Sequence, residues 1–190
     1  MGLHPDYPIL TDRLLLRPIT TADISALHAY QSLPDNVRYV PYEARSIEAV
    51  TELVESGRLT SSIDDPPGVI SLGVELRESA ELVADVILMW HSADHRSGEV
   101  GYISNPAYAG NGYVTEAVRE LLRLGFEGLG LHRIVARLDA RNDPSAAVAR
   151  RLGMRQEAHL RENEWFKGEW TDEIVYAILE DEWRGSQASA

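Results

Sequence analysis

The chain has no cysteine among its 190 residues. This absence excludes disulfide bonds, thiolate nucleophiles and cysteine-ligated metal sites. Long apolar runs are also missing, since VADVILMW at residues 83–90 is far shorter than the roughly 20 residues that cross a bilayer. The first ten residues, MGLHPDYPIL, lack the basic and apolar segments of a signal peptide. We therefore expect a cytoplasmic protein with no membrane partner.

Positive charge is scarce, with 18 Lys and Arg against 30 Asp and Glu and a formal net charge of −12. This balance argues against a general affinity for nucleic acid. An acidic surface attracts cationic partners such as amines, although many acidic proteins are simply soluble. Hydrophobic residues make up 44% of the chain and charged residues 25%, which is typical of a globular protein. The length predicts a single domain over residues 1–190. We expect residues 183–190 to form a disordered tail.

The first half of the chain predicts one strand, two helices and three further strands. RLLLRPI at residues 13–19 is a short apolar strand, and Thr21 is placed to cap a helix from about Ala22. A second helical pattern begins at Ser46 and stops at Gly57. The strand patterns GVISLGVEL, ELVADVILMW and GEVGYIS are separated by short polar breaks, so they predict an antiparallel meander.

The second half alternates helices and strands. A helix follows a glycine-containing loop, then HRIVARLDA predicts a strand, and a helix runs over residues 145–152 with Asp143 as its N-cap. Residues 155–162 and 173–179 are further strand candidates. Antiparallel strands followed by strand, helix and strand predict a mixed α+β domain around one twisted sheet.

The loop in NPAYAGNGYVTEAVREL, residues 105–121, places Gly110 and Gly112 directly before a helix. A helix N-terminus attracts phosphate, and glycines allow the backbone to approach it closely, although a plain turn is the simpler interpretation. Val114 and Thr115 stand where a dinucleotide fingerprint would continue, and the Gly-Lys-Ser/Thr pattern of nucleotide triphosphate sites is absent. Both kinds of nucleotide site are therefore disfavoured.

Three segments together carry a family resemblance: GEVGYISNPAYAGNGYVTEAV, ARNDPSAAVARRLGMR and GEWTDEIVYAILEDEW. They resemble the GNAT acyltransferase superfamily, and with TDRLLLRPIT they are most similar to its RimJ/RimL-type branch. The resemblance covers nearly the whole chain. It implies a mostly antiparallel twisted sheet of about seven strands flanked by about four helices, and acetyl-CoA as the co-substrate, with no metal.

The resemblance also implies where acetyl-CoA binds. The backbone amides of the loop hold the pyrophosphate, at Ala109, Gly110, Asn111, Gly112, Tyr113 and Val114. The strand with Tyr102, Ile103 and Ser104 receives the pantetheine arm, and one of Arg150, Arg151 and Arg155 reaches the 3′-phosphate, with Arg150 as the candidate. Ala107 departs from the family pattern, which has Gln or Arg there.

For the catalytic groups, the resemblance implies Asn142 near the cofactor arm, Ser145 as the proton donor to the thiolate and Glu99 as the base. Many family members carry a tyrosine acid where this chain has Ala149. Without the resemblance, Asn142 reads as a polar turn residue and Glu99 as a solvated strand residue. Three histidines could serve as bases, but we interpret them as loop or strand-end residues: His91, His95 and His132.

The sequence therefore predicts an N-acetyltransferase that transfers the acetyl group directly to a primary amine. The resemblance favours a cationic acceptor at a peptide or protein N-terminus, while polyamines, aminoglycosides and amino acids remain alternatives. Two other classes stay open: a non-catalytic acyl-CoA sensor, which Ala107 and Ala149 favour, and a nucleotide-binding regulator. Exposed strands near the C-terminus could also support a homodimer.

Overall fold

The computed structural model of the chain describes residues 2–187, in which eight strands form one sheet. The strands lie in the order β1-β2-β3-β4-β5-β6-β8-β7, and every neighbouring pair is antiparallel except β5 with β6. Their bounds are β1 Ile9–Leu10, β2 Leu14–Pro18, β3 Gly68–Leu76, β4 Leu82–Ser92, β5 Ser97–Ser104, β6 Arg133–Asp139, β7 Arg155–Phe166 and β8 Glu169–Leu179. The predicted mixed α+β fold and the meander of β3, β4 and β5 are confirmed.

Within the described residues, five α-helices accompany the sheet: α1 Ile24–Gln31, α2 Ile47–Glu55, α3 Tyr113–Arg123, α4 Asp143–Arg151 and α5 Glu180–Gln187. A π-helical turn, Leu124–Gly128, continues α3. The predicted start of α2 is confirmed, since Ser46 accepts a hydrogen bond from the Ala49 amide, and Gly57 follows with φ of 70°. The structure thus has one strand and one helix more than expected.

Two predicted helix caps are wrong by one residue. Thr20 precedes a 3₁₀ turn, Thr21–Asp23, and α1 begins only after it. Asn142, and not Asp143, caps α4, because its Oδ1 accepts from the Ser145 amide at 3.2 Å. A side-chain oxygen caps a helix when it reaches the amide two or three residues on, and Asn142 meets that spacing.

The C-terminal segment is ordered where a tail was expected. Residues 183–187 belong to α5, and Trp183 is 4% exposed and stacks on Phe126 with ring centroids 5.9 Å apart. The expectation of disorder is therefore wrong for these residues, while residues 188–190 lie outside the described part of the chain. Since β7 is an exposed edge of the sheet, dimerisation through the tail strands stays a prediction.

Helices cover the sheet on both faces around β5. Alternation along this strand points Val100 and Ile103 to opposite faces. Val100 belongs to the main core with the apolar residues of α3, and Ile103 to a second core with Leu27 and Tyr30 of α1 and Val50 of α2. The centre of the sheet is therefore enclosed, and a polar side chain there needs partners.

Asp85 of β4 is such a side chain. Its Oδ1 accepts hydrogen bonds from the Tyr30 hydroxyl at 2.6 Å and from the side-chain Nε2 of Gln31 at 3.1 Å. These two bonds join α1 to the sheet. Burial raises the pKa of Asp85, and this effect outweighs the hydrogen bonds from Tyr30 and Gln31 and the nearby Arg45, which lower it. The ionised carboxylate is therefore a cost to the folded state.

The substitution Asp85→Asn tests this cost. It keeps an Oδ1 acceptor for Tyr30 and Gln31 and removes the charge. Because the folded-state pKa of Asp85 lies above its unfolded value, stability is lost as pH rises through the folded pKa. We expect the variant to melt at a higher temperature than the wild type at pH 8, with a difference that shrinks towards pH 4 in thermal scans.

The matched control is Asp64→Asn, whose side chain is 84% exposed. This control should show no pH-dependent gain. A lower melting temperature for Asp85→Asn at pH 8 would mean that the charge stabilises the fold.

Candidate active site

Strands β5 and β6 part in the middle of the sheet. They pair in parallel over three residues only, from Ser97 with Arg133 to Glu99 with Val135. Beyond that point β5 stays with β4 as far as Ser104, and β6 stays with β8. The parting leaves a gap beside the part of β5 that carries the predicted Tyr102, Ile103 and Ser104.

The glycine loop leads into α3 without a side-chain cap. Gly110 and Gly112 both have positive φ, of 82° and 79°, and Gly112 is the N-cap. The first intrahelical bond runs from the Glu116 amide to the Gly112 carbonyl, at 3.0 Å. The amides at positions 113–115 therefore have no partner within the helix, as at every helix N-terminus, and are available to an anion.

These amides face a cavity of about 420 Å³. It is lined by the whole predicted loop and by residues of three other elements: Val83, Ser104, Tyr108, Ala109, Gly110, Asn111, Gly112, Tyr113, Val114, Thr115, Pro144, Ala147, Val148 and Arg151. Thr115 Oγ1 is buried here and has no hydrogen-bond partner within residues 2–187. Orphaned buried hydroxyls are rare, so this one fits a site whose ligand brings an acceptor oxygen.

The arginines near this cavity differ in their contacts. Arg151 lines it, and no carboxylate in the described part of the chain lies within 4 Å of its guanidinium. Arg150 instead donates to the Tyr176 hydroxyl at 3.1 Å, and Arg155 pairs with Glu182 at 2.7 Å. The structure thus places Arg151 better than Arg150 for a phosphate, although the predicted role of Arg150 stays untested.

A second cavity, of about 330 Å³, lies on the face covered by α1 and α2. It brings together the other predicted residues: Glu99, Tyr102, Ile103, Asn142 and Ser145. The remaining lining is largely apolar: Ile19, Leu27, Gln31, Tyr39, Val40, Pro41, Tyr42, Arg45, Leu53, Leu59, Asp85, Ile87, Met89, Val100, Gly101, Arg137 and Leu138. We call it the central cavity.

Tyr102 joins the parted elements, since its hydroxyl donates to the Ser145 carbonyl at 3.0 Å. Burial raises the pKa of Tyr102 to about 12, so the hydroxyl remains a donor at neutral pH. Ser145 Oγ has no hydrogen-bond partner among residues 2–187, whereas Asn142 uses its Oδ1 as the cap. Ala149 is buried in the core and offers no proton, whereas Ser145, in the first turn of α4, has a hydroxyl.

Glu99 is the last β5 residue paired to β6, and its side chain is 18% exposed. Its Oε2 lies 3.2 Å from His91 Nε2 and 3.5 Å from Arg137 Nε. Glu99 also lines a smaller cavity of about 210 Å³, which shares several walls with the central one. That cavity is rich in carboxylates: Asp139, Glu164, Asp172 and Glu173.

Sequence reasoning missed Asp85 and Arg45 at the far end of the central cavity. No described residue donates to Asp85 Oδ2, and the atom is not sealed from the cavity that Asp85 lines. Arg45 lies over the Tyr42 ring at 3.7 Å and donates to Gln31 Oε1 at 2.6 Å. The signal for Asp85 was available, because one acidic residue interrupts the apolar run VADVILMW.

Lys167 was also missed. It lies at the turn of the β7–β8 hairpin, and its Nζ donates to the carbonyls of Val37 and Tyr42, at 2.8 and 2.7 Å. The loop it holds carries Tyr39 and Pro41 of the central cavity wall. The hairpin therefore fixes the loop between α1 and α2, a contact over 125 residues of sequence that no local pattern reveals.

Residues 2–187 contain no group of three or more His, Asp or Glu side chains arranged to hold a metal ion. None of the described helices has the length and apolar character that spanning a membrane requires.

Comparison with known proteins agrees with this geometry. Residues 13–155 match the family model described as the acetyltransferase (GNAT) domain. The chain is 32% identical over 175 residues to the uncharacterized N-acetyltransferase YnaD of Bacillus subtilis, covering 92% of this chain and 98% of that protein. It is 24% identical over 171 residues to spermidine N(1)-acetyltransferase of Escherichia coli, covering 88% and 87%.

A solved structure is similar over almost the whole chain. The GNAT-family acetyltransferase from Bacillus anthracis superposes with a TM-score of 0.81 at 30% identity, covering 95% of this chain and 99% of that one. The family match, the relatives and the shared fold lead to one conclusion: the chain belongs to the GNAT acetyltransferases, and is an N-acetyltransferase that uses acetyl-CoA as its co-substrate.

Proposed function

We propose that the chain acetylates the α-amine of a peptide or protein N-terminus, as a member of the RimJ/RimL-type branch. The central cavity carries this proposal. It is largely apolar, has Glu99 in its wall and adjoins the smaller cavity beside the β7–β8 hairpin. The apolar side chain of an N-terminal residue fits the central cavity, and the rest of the peptide lies along the smaller cavity.

The charges in the central cavity support an α-amine over a polyamine. Arg137 is paired with Glu99 and Glu173, but Arg45 lines the cavity with no carboxylate within 4 Å among residues 2–187, and its positive charge opposes a second ammonium group there. Deprotonation favours the same choice. At pH 7 roughly one α-amine in ten is neutral, against about one lysine-type amine in a few thousand.

The proposed roles follow from the positions of the side chains. Acetyl-CoA supplies the acetyl group as a thioester when it is bound. The amides of the glycine loop and Thr115 hold phosphate oxygens, and β5 backbone amides in the gap polarise the acyl carbonyl. Glu99 takes a proton from the acceptor amine, and Ser145 Oγ donates one to the leaving sulfur.

A small-molecule amine is the second candidate, and Asp85 favours it. The unpaired Oδ2 can accept from a second ammonium or N–H group of an acceptor that lies along the cavity. The relative of this chain from Escherichia coli is named spermidine N(1)-acetyltransferase. A diamine would place one nitrogen near Glu99 and the other near Asp85.

Thr115→Val tests the phosphate site. Valine has nearly the shape of threonine and removes the orphaned hydroxyl, so the free protein should be as stable as the wild type or slightly more so. The variant should bind acetyl-CoA about fivefold more weakly, for one lost hydrogen bond of about 1 kcal/mol. Thermal scans and calorimetric titration measure the two effects.

Thr51→Val on α2 is the matched control, because its hydroxyl is exposed and bonds to the Ile47 carbonyl. It should leave acetyl-CoA affinity unchanged. Equal affinity of Thr115→Val and the wild type for acetyl-CoA would show that the Thr115 hydroxyl does not bind the co-substrate.

A CoA-release screen tests the acceptor and the catalytic groups. The acceptors are peptides with free apolar N-termini, the same peptides with blocked N-termini, spermidine and an aminoglycoside. We expect turnover of the free peptides only. Glu99→Gln should lower kcat by about 10²-fold or more and Ser145→Ala by a smaller factor, with little change in the KM for acetyl-CoA.

Glu78→Gln, in the exposed turn between β3 and β4, is the control and should be fully active. Turnover of spermidine alone would establish the second candidate. Acetyl-CoA binding without turnover of any acceptor would support the sensor, and full activity in Glu99→Gln and Ser145→Ala would refute their roles.

A further inference from the structure

The two carboxylate oxygens of Glu99 have different surroundings. Oε2 contacts His91 Nε2 at 3.2 Å and Arg137 Nε at 3.5 Å. Oε1 has no hydrogen-bond partner within residues 2–187, and Glu99 lines both cavities of the acceptor side. One oxygen is thus free for a ligand while the other is already joined to an imidazole.

His91 owes its position to a bulge. The pairing of β4 with β5 shifts between Trp90, opposite Gly98, and Ser92, opposite Ser97, and His91 is the residue left over. Bulges redirect side chains at such points. The His91 side chain is 47% exposed, against 18% for Glu99, so the imidazole connects the carboxylate to bulk water.

The proton on the base needs a route to solvent, because the acceptor amine arrives as an ammonium ion. Each acetylation converts it into a neutral amide and leaves a proton on the base. When acceptor and co-substrate fill the central cavity, the proton cannot leave by that side. Arg137 cannot carry it, since a guanidinium stays protonated in proteins.

The other charged groups around this pair do not offer a route either. Glu173 is 6% exposed and is held by Arg137 at 3.3 Å and by Asn163 at 2.9 Å. Imidazole, by contrast, gains and loses a proton readily near neutral pH. His91 is therefore the contact of Glu99 that can both accept a proton and release it.

We propose that His91 relays the acceptor's proton from Glu99 to water. This inference rests on the proposed function, because it takes Glu99 as the base. The amine N–H bond breaks and the proton joins Oε1. A half-turn of the carboxyl group about χ3, a broad two-fold torsion, presents the O–H to His91. While Glu99 is ionised, His91 Nε2–H donates to Oε2. After Glu99 is protonated, exchange of the exposed ring with water moves that hydrogen to Nδ1, so Nε2 accepts the carboxyl proton, and the imidazolium then releases its Nδ1 proton to water.

Loss of the Nδ1 proton leaves the hydrogen on Nε2, which is the tautomer that donates to ionised Glu99. No electron is transferred, and Glu99 returns to its ionised form with one proton delivered to solvent per acetylation. His91 thus touches the base and not the substrate, which makes it a relay residue with a kinetic signature of its own.

His91→Gln tests the relay. Glutamine can still donate a hydrogen bond to Glu99 but cannot pass a proton on. In dilute buffer we expect kcat to fall by about tenfold or more, with an unchanged KM for acetyl-CoA. Raising the concentration of imidazole or phosphate buffer at fixed pH and ionic strength should restore kcat towards the wild-type value.

His95→Gln is the matched control, since His95 lies in the nearby turn and makes no contact with Glu99. Its kcat should equal that of the wild type in every buffer. Thermal scans of His91→Gln establish that the exposed substitution leaves the protein folded.

The outcomes separate this inference from the proposed function. Full activity of Glu99→Gln would overturn the base and the relay together. If Glu99→Gln is inactive while His91→Gln keeps full kcat in dilute buffer, the base stands and the relay is wrong. If His91→Gln has a low kcat that no buffer concentration restores, His91 only holds Glu99 in position. That result also overturns the relay.

Discussion

The parting of β5 from β6 is the constraint on which the rest of the site depends. A strand in the middle of a sheet normally satisfies its backbone on both sides, yet β5 pairs with β6 only from Ser97 to Glu99. Past Glu99 the backbone of β5 is open towards the gap, and a ligand with amide groups can take the place of the missing strand. Glu99 stands where the two strands separate, so the proposed base and the open backbone arise from the same feature.

The arginines of the protein include two groups, those paired with carboxylates and those that line cavities without a carboxylate partner. Most arginines that contact another element do so through a carboxylate, as Arg17 does with Asp23 and Glu75. Arg45 and Arg151 line cavities, and no carboxylate in residues 2–187 lies within 4 Å of either. In a chain of net charge −12, unpaired guanidinium groups in cavities leave local positive potential where the rest of the surface is negative.

The local order of elements could be predicted from the sequence because its signals are local. Alternating apolar residues gave β3, β4 and β5, and Gly110 and Gly112 marked the turn before α3. The proposed cofactor loop and the strand before it were predicted through the family resemblance. The caps were less certain, because Asn142 and Asp143 are adjacent and equally able to cap a helix.

Contacts between distant segments could not be predicted in this way. The bulge at His91 and its approach to Glu99 depend on the register of two strands, which a single sequence does not specify. Likewise, the burial of Trp183 against Phe126 turns an apparently polar tail into a helix. Burial of the Trp183 ring stabilises this helix, although most of the residues around it in the sequence are polar or charged.

Lys167 also bears on how the protein withstands its own co-substrate. It is the only lysine in the sequence, and every other basic side chain among the 18 is an arginine. Its Nζ donates to the carbonyls of Val37 and Tyr42, and a lysine ammonium group has no lone pair with which to attack a thioester. Guanidinium groups stay protonated and are equally poor nucleophiles. The lysine and arginine side chains of this enzyme therefore resist acylation by the acyl donor that binds in each catalytic cycle.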